Sequence, residues 1–339
     1  MQGGAKSDLC TTCLCFINLS GIGRVTTSYY VGIDVSKDML DVCVLPTGEF
    51  FRLSNDAAGI GKLRKKLHPL SPERVVMEAT GGYEAEAALT LRLAGMKVCV
   101  VNPLWVRNFA KADGQFAKTD KIDAGVIAKY GERMLPEVRE LASEEVRDLD
   151  ALVTRRRQLV QMITSEKNRI GISARALRPG IQTHIDWMNE EMSRIETELD
   201  EAIKTTEGWQ EKVELYTSAP GIGPKTAYSL IAEVPELDRI SAKQISALVG
   251  VAPYPRDSGM FKGTRRIRGG RISIRCMLYM ATLSAIRCNP VIKAHYTQLR
   301  ARGKLFKVAM VACMRKLLVI LSAMARSKTP WDPGFAAAA

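Results

Sequence analysis

Two rhythms of apolar positions alternate along residues 28–135. TSYYVGIDV (27–35) is rich in aromatic and β-branched residues and predicts a strand. DVCVLP (41–46) and EFFRLS (49–54) follow across short polar gaps, so three antiparallel strands in hairpins are expected. AAGIGKLRKKLHPL (57–70) carries helical spacing. RVVMEAT (74–80) reads as a buried strand, YEAEAALTLRLAGM (83–96) as a helix and KVCVVNP (97–103) as a strand. Helical spacing resumes near Val106 and again after Thr119. Elements in this order predict an α/β domain with a mixed sheet.

The texture changes near residue 140. Through 215 glycine is sparse and charge dense, and apolar residues such as Leu149, Leu152, Leu159, Met162 and Ile163 recur at three and four spacing. This predicts long amphipathic helices, either a coiled-coil hairpin turning near RALRPG (175–180) or a bundle packed on its neighbours. From 216 to 330 the pattern is helical, basic and turn-rich. The expected organisation is an extension without fixed structure at 1–27, an α/β domain at 28–139, the coiled-coil helices at 140–215, a mostly helical domain at 216–330 and a tail at 331–339.

At 339 residues with a net charge of +13, the chain is large enough for more than one core and basic enough to bind a polyanion, nucleic acid first. The most apolar run, 308–325, is interrupted by Arg315 and Lys316 and reads as a buried helix rather than a membrane span. No signal-peptide layout is visible at the N-terminus, which favours a cytoplasmic protein without membrane contact. Of eight cysteines, Cys43, Cys99, Cys276, Cys288 and Cys313 lie singly in apolar stretches and are expected to be reduced core residues. Cys10, Cys13 and Cys15 have zinc-like spacing, but no second pair or nearby histidine completes a site.

Candidate chemistry gathers in the α/β region. KTDKIDA (118–124) puts Asp120 and Asp123 on one helical face. A structural reading makes Asp120 a helix cap and Asp123 a partner of the helix dipole. Yet Asp34 ends the first strand beside Gly32, and Glu78 ends a later apolar strand, where an unpaired charge is costly. Four converging carboxylates repel one another unless a divalent cation relieves them, and hard oxygen donors select Mg²⁺ or Mn²⁺. Two such ions clamp the attacking and leaving oxygens of a phosphodiester.

Two further stretches point to phosphate. APGIGPKTAYSLIAEV (219–234) sets Gly221 and Gly223 in a tight turn before a helix, with Lys225 adjacent, as in a helix-hairpin-helix phosphate site. RDSGMFKGTRRIRGGRISIRC (256–276) carries Arg256, Lys262, Arg265, Arg266, Arg268, Arg271 and Arg275 against the single acid Asp257. Such density suits contact with a nucleic-acid backbone.

GIDVSK, MEATGGYE, KTDKIDA, PGIGPKTA, RDSG and GGRISIRCMLYMA, in this order over residues 29–330, resemble the IS110-type transposases, which include the pilin-gene invertases. The resemblance implies a RuvC-like, ribonuclease-H-type first domain whose acidic DEDD tetrad is Asp34, Glu78, Asp120 and Asp123. It also implies a transposase domain with a serine nucleophile in GVAPYPRDSG (250–259), Ser258, with Ser273 a weaker candidate. Family members use Mg²⁺ or Mn²⁺, act on element-end and target DNA, and work as homo-oligomers (dimers and tetramers). Their active sites combine the acidic domain of one protomer with the serine of another, and a structured noncoding RNA guides them. Where the family often has Asn after the glycine, this chain has Arg271. Three alternatives remain: a structure-selective metal-dependent endonuclease that needs no serine, a site-specific DNA invertase, and an actin-like ATPase or kinase. The last lacks a second set of Gly-rich phosphate loops after residue 140.

Overall fold

The computed structural model describes residues 28–115, 119–138 and 142–334. The extension at 1–27, with its three cysteines, and the end of the tail lie outside them. The chain divides into two compact units after Leu141.

The first unit is an α/β domain. Strands β1 (Tyr30–Val35), β2 (Met39–Leu45) and β3 (Glu49–Ser54) form an antiparallel meander. Helix α1 (Ala57–Leu67) leads to β4 (Arg74–Glu78), α2 (Ala85–Leu93) and β5 (Val98–Val101). Helices α3 (Pro103–Ala112) and α4 (Asp120–Met134) complete it. The sheet order is β3-β2-β1-β4-β5, with β4 and β5 parallel to β1. This is the mixed sheet expected of a ribonuclease-H-type domain. Residues alternate across it. Val31, Ile33, Leu40, Val42, Val75 and Met77 pack with Ile60, Leu63 and Leu91 of α1 and α2. Their neighbours Gly32, Cys43 and Val76 turn to the other face, against α4.

Gly32 lets α4 lie directly on the sheet. A Cβ there would fall 2.2 Å from both the Ala124 carbonyl oxygen and the Ala128 nitrogen. These are backbone atoms, so no rotamer relieves the clash. Gly32→Ala is therefore expected to destabilise the domain by about 1–3 kcal/mol, the usual cost of overpacking. A thermal unfolding curve that matched the parent would show that α4 does not need this contact.

The second unit is helical. Helices α5 (Glu144–Ile172) and α6 (Arg178–Thr205) join through a 3-10 turn at Arg175–Leu177. Arg156 meets Glu196 at 2.6 Å and Glu166 meets His184 at 3.7 Å, so the helices run antiparallel. Helices α7 (Trp209–Thr217), α8 (Pro224–Glu233) and α9 (Ala242–Val249) follow, then a ribbon of β6 (Asp257–Ser258) and β7 (Phe261–Lys262). Helices α10 (Ile272–Cys288), α11 (Pro290–Ala301) and α12 (Phe306–Ser327) close the chain. Leu149, Leu159, Met188 and Leu199 of the long hairpin share one core with Leu230, Leu278 and Leu317. The helices of 140–215 and those of 216–330 are thus built around a common interior.

Two expectations need correction. Cys276 and Cys288 are exposed, because they fall on the outer face of α10; Cys43, Cys99 and Cys313 are buried as expected. Among the described residues α12 is also long and apolar enough, by length and composition, to cross a membrane. Arg315 and Lys316 do not lower its hydropathy below that level. Its Met310, Met314, Leu317, Leu318 and Leu321 nonetheless fill the core, as a buried helix requires.

Candidate active site and nucleic-acid interface

The four candidate acids of the first unit come from three elements at one end of the sheet, where the parallel strands β1 and β4 finish. β1 and β4 pair in parallel with Ile33 opposite Met77. The next residues, Asp34 and Glu78, therefore follow on adjacent strands about 4.8 Å apart. Ile33 and Met77 point to the α1–α2 core, so alternation turns Asp34 and Glu78 toward α4. Both are half-buried. Helix α4 starts over the same face. Thr119 is its cap, with the side-chain oxygen accepting from the Ile122 N–H at 3.3 Å. Capping therefore does not explain Asp120, which is the first helical residue and has an exposed carboxylate. Asp123 stands one turn on and is half-buried.

Two residues that the sequence did not single out join this end of the sheet. Asp41 lies opposite Asp34 across the β1–β2 ladder and is only 5% exposed. Like charges facing each other across strands are destabilising unless balanced. Arg52 on β3 supplies the balance. Its Nε and Nη2 donate to the two Asp41 oxygens at 2.6 and 3.0 Å, and Nη2 also donates to Asp120 Oδ2 at 2.6 Å. The only sequence signal for Asp41 is an acid between Leu40 and Val42, in a strand that is otherwise apolar.

The four acids fit a hard divalent cation in kind, since all are carboxylate oxygens, and one cationic group, the Arg52 guanidinium, already bridges Asp120 to Asp41. Among the described residues no three acidic, histidine or cysteine side chains close on a common point. The Arg52–Asp120 pair is largely exposed on both sides.

Ser258 belongs to the second unit. It sits at the end of β6, its backbone paired with Phe261, and Gly259 takes φ +55° to turn the chain between them. A second bridge, Tyr254 to Arg266, extends the hairpin toward its stem. Ser258, Met260 and Phe261 are exposed at the tip. Ser273 is placed differently. It lies in the first turn of α10, and its hydroxyl donates to the Glu233 carboxylate. The same carboxylate takes Arg157 at 3.1 Å.

The basic residues divide into two groups. Arg256, Arg265, Arg266 and Arg268 lie exposed along the hairpin, with Arg268 over the Tyr254 ring at 5.7 Å. The backbone of Lys262 pairs with that of Asp257 in the ribbon. Lys225, Arg271 and Arg275 are engaged within the chain. Lys225 pairs with Asp200 at 3.2 Å and lies over Tyr228. Tyr228 also donates to Asp200 at 2.8 Å; burial, then this carboxylate, pushes the phenol up to about 12. Arg271 forks onto Glu236 at 2.7 and 2.8 Å. Arg275 donates to backbone carbonyls. In the turn before α8, Gly221 has φ +101°, and a Cβ on it would fall 2.7 Å from Ala285, so it serves helix packing. Gly223, the N-cap of α8, has open space around it.

Comparison with known proteins points to a family of transposases. Residues 31–172 match the model of IS110 DEDD transposases, and residues 213–297 match that of the IS116/IS110/IS902 transposase family. The pilin gene-inverting protein of Moraxella bovis is 27% identical over 313 residues, covering 89% of this chain and 97% of that protein. The 43.6 kDa protein of insertion element IS110 from Streptomyces coelicolor is 28% identical over 118 residues, 34% of this chain and 29% of that one. T. thermophilus RuvC, solved in complex with a Holliday junction substrate, aligns with 32% of this chain and 96% of its own. Its identity is 17% and its TM-score 0.26, so nothing about function follows from it. The two matched stretches run from β1 to the end of α5 and from α7 into α11. The chain belongs to the IS110 family of transposases and is an enzyme acting on DNA.

Proposed function

We propose that the protein cuts and rejoins DNA at the ends of an insertion sequence, with Ser258 as nucleophile and Asp34, Glu78, Asp120 and Asp123 as the acidic centre. The observation that carries this reading is the meeting of three elements at the carboxyl ends of the parallel strands β1 and β4. β1, β4 and the start of α4 bring Asp34, Glu78, Asp120 and Asp123 to the same face.

The four carboxylates would hold Mg²⁺ or Mn²⁺, which supplies charge stabilisation at the reacting phosphate. The Ser258 hydroxyl attacks phosphorus and a phosphoserine ester forms. The bond to the leaving sugar oxygen breaks; the serine proton is lost and the sugar oxygen takes one up. Attack by the freed hydroxyl of another strand reverses these bond changes and rejoins DNA without ATP. A serine hydroxyl is a weak nucleophile unless activated, and Arg256 and Lys262 are placed in sequence to stabilise the crowded phosphate. Arg265, Arg266 and Arg268 would lie along the backbone of the bound strand. By family likeness, a structured noncoding RNA guides the reaction and copies of the chain assemble to carry it out. Insertion and inversion differ in which ends are joined, not in this chemistry.

The test is to incubate protein, radiolabelled element-end DNA, the RNA transcribed from the element end and Mg²⁺, then denature. Labelled protein is the expected result. Cleaved DNA with no labelled protein would replace the serine mechanism by metal-dependent hydrolysis.

A further inference from the structure

The hairpin that carries Ser258 is held at its stem by two arginines. The chain leaves α9 at Gly250 and enters α10 after Arg271. Between these points the two sides of the stem touch backbone to backbone. A Cβ on Gly250 would fall 2.2 Å from the Gly269 carbonyl oxygen, and one on Gly270 would fall 2.3 Å from the Gly250 nitrogen. Gly250, Gly269 and Gly270 all have positive φ, of 79°, 67° and 74°. Such a stem has little intrinsic stiffness.

Arg275 stiffens it from one side. Its Nη1 donates to the Gly269 carbonyl at 2.7 Å and to the Gly250 carbonyl at 3.3 Å, one from each side of the stem. Arg271 anchors it from the other. Its backbone N–H donates to the Leu248 carbonyl at 2.9 Å. The guanidinium donates to the Glu233 carbonyl at the end of α8 at 2.6 Å and takes both oxygens of Glu236 in the turn that follows. A planar guanidinium fixes two partners at once in a way an ammonium cannot. Ser258 lies eight residues beyond Gly250, up to about 26 Å from the stem at about 3.3 Å per residue. A tilt of a few degrees at the stem then displaces the hydroxyl by more than about an ångström, enough to cost up to about 100-fold in rate.

We propose that Arg271 and Arg275 are positioning residues that clamp the stem of the Ser258 hairpin, and that neither neutralises a DNA phosphate. Its catalytic consequence rests on Ser258 being the nucleophile; its structural consequence does not.

The test compares full-length Arg271→Gln, Arg275→Gln and Glu236→Gln with the parent. Three quantities are measured: hydrogen exchange of amides 251–270, salt dependence of DNA binding, and the single-turnover rate at saturating DNA. The clamp predicts hairpin exchange faster by about tenfold or more, and a rate lower by about 10–100-fold. Affinity and its salt slope stay at the parent values. Glu236→Gln, which removes no positive charge, shifts exchange and rate in the same direction as Arg271→Gln. Phosphate contacts predict the opposite set: a salt slope smaller by about one per arginine removed, unchanged exchange, and tighter binding in Glu236→Gln, where Arg271 is released. That set overturns the proposal. If the Gln variants fail to fold, Arg271→Lys decides: it keeps the charge a phosphate needs and loses the two-nitrogen fork that holds Glu236. Should Ser258→Ala still form the adduct, the nucleophile reading falls, and the exchange data still judge the clamp.

Discussion

Ser258→Ala is expected to lower the yield of covalent protein–DNA adduct by at least about 10³-fold, as loss of a nucleophile does, while Ser273→Ala keeps it. The two serines differ in what surrounds them. Ser258 stands exposed at a hairpin tip flanked by Arg256, Arg265, Arg266 and Arg268. A phosphodiester approaching there meets positive charge. Ser273 is half-buried in the first turn of α10, bound to Glu233, with Arg157 and Arg271 occupied by the Glu233 and Glu236 carboxylates. A hydroxyl paired with a carboxylate resembles an activated nucleophile, and that resemblance is the case for Ser273. The carboxylates around it, however, repel a phosphate, and the nearby cations are already neutralised. Ser273→Ala is therefore expected to loosen α8 and α10 slightly and leave the adduct in place. An adduct kept by Ser258→Ala and lost in Ser273→Ala would transfer the nucleophile to α10.

How far the sequence could be read depends on how local each cause is. The strand–helix order of the first unit follows from apolar rhythm, which neighbouring residues set, and β3, α1, β4 and β5 fall where that rhythm puts them. Asp34 and Glu78 stood out as candidates because a charge at the end of an apolar strand is conspicuous, and the register sets them on adjacent strands. Asp41 and Arg52 were not. Their pairing spans 11 residues, and the Arg52–Asp120 contact spans 68, so both depend on sheet register and on where α4 lands. The same limit explains the basic segment. Counting arginines shows a density of charge, but Arg271 meets Glu236 from 35 residues away and Arg275 reaches back to Gly250. Only the folded chain separates the arginines held inside it from those along the hairpin. Thr119 taking the cap in place of Asp120 is a smaller case: both residues cap well, and the geometry of one turn chooses between them.

Asp120→Asn, Asp123→Asn and Glu78→Gln are each expected to slow DNA cleavage by about 10²–10⁴-fold, corresponding to several kcal/mol of charge stabilisation at the phosphate. Chelation with EDTA should stop the parent enzyme, and Mn²⁺ should restore it. The Asp120 variant needs a control, because Asp120 also holds Arg52. If its purpose were that ion pair, Arg52→Ala would cost as much activity as Asp120→Asn. If Asp120 binds metal, Arg52→Ala removes a competitor for its oxygen and leaves most of the activity. Folding is followed alongside: Asp120→Asn breaks a largely exposed pair and should leave the melting temperature near the parent value, whereas Arg52→Ala also strips buried Asp41 of its partner and should lower it, so the activities are compared below both transitions. Asp41 differs, since it is buried and its two oxygens are satisfied by Arg52 alone among the described contacts. Removing Arg52 leaves that carboxylate opposite Asp34 without its counter-charge. Arg52→Ala therefore adds to the negative field at this end of the sheet, and Mn²⁺ should bind it more tightly than the parent. Weaker Mn²⁺ binding in Arg52→Ala, with activity lost to the level of Asp120→Asn, would make Arg52 the organiser of this end and remove Asp120 from the metal site.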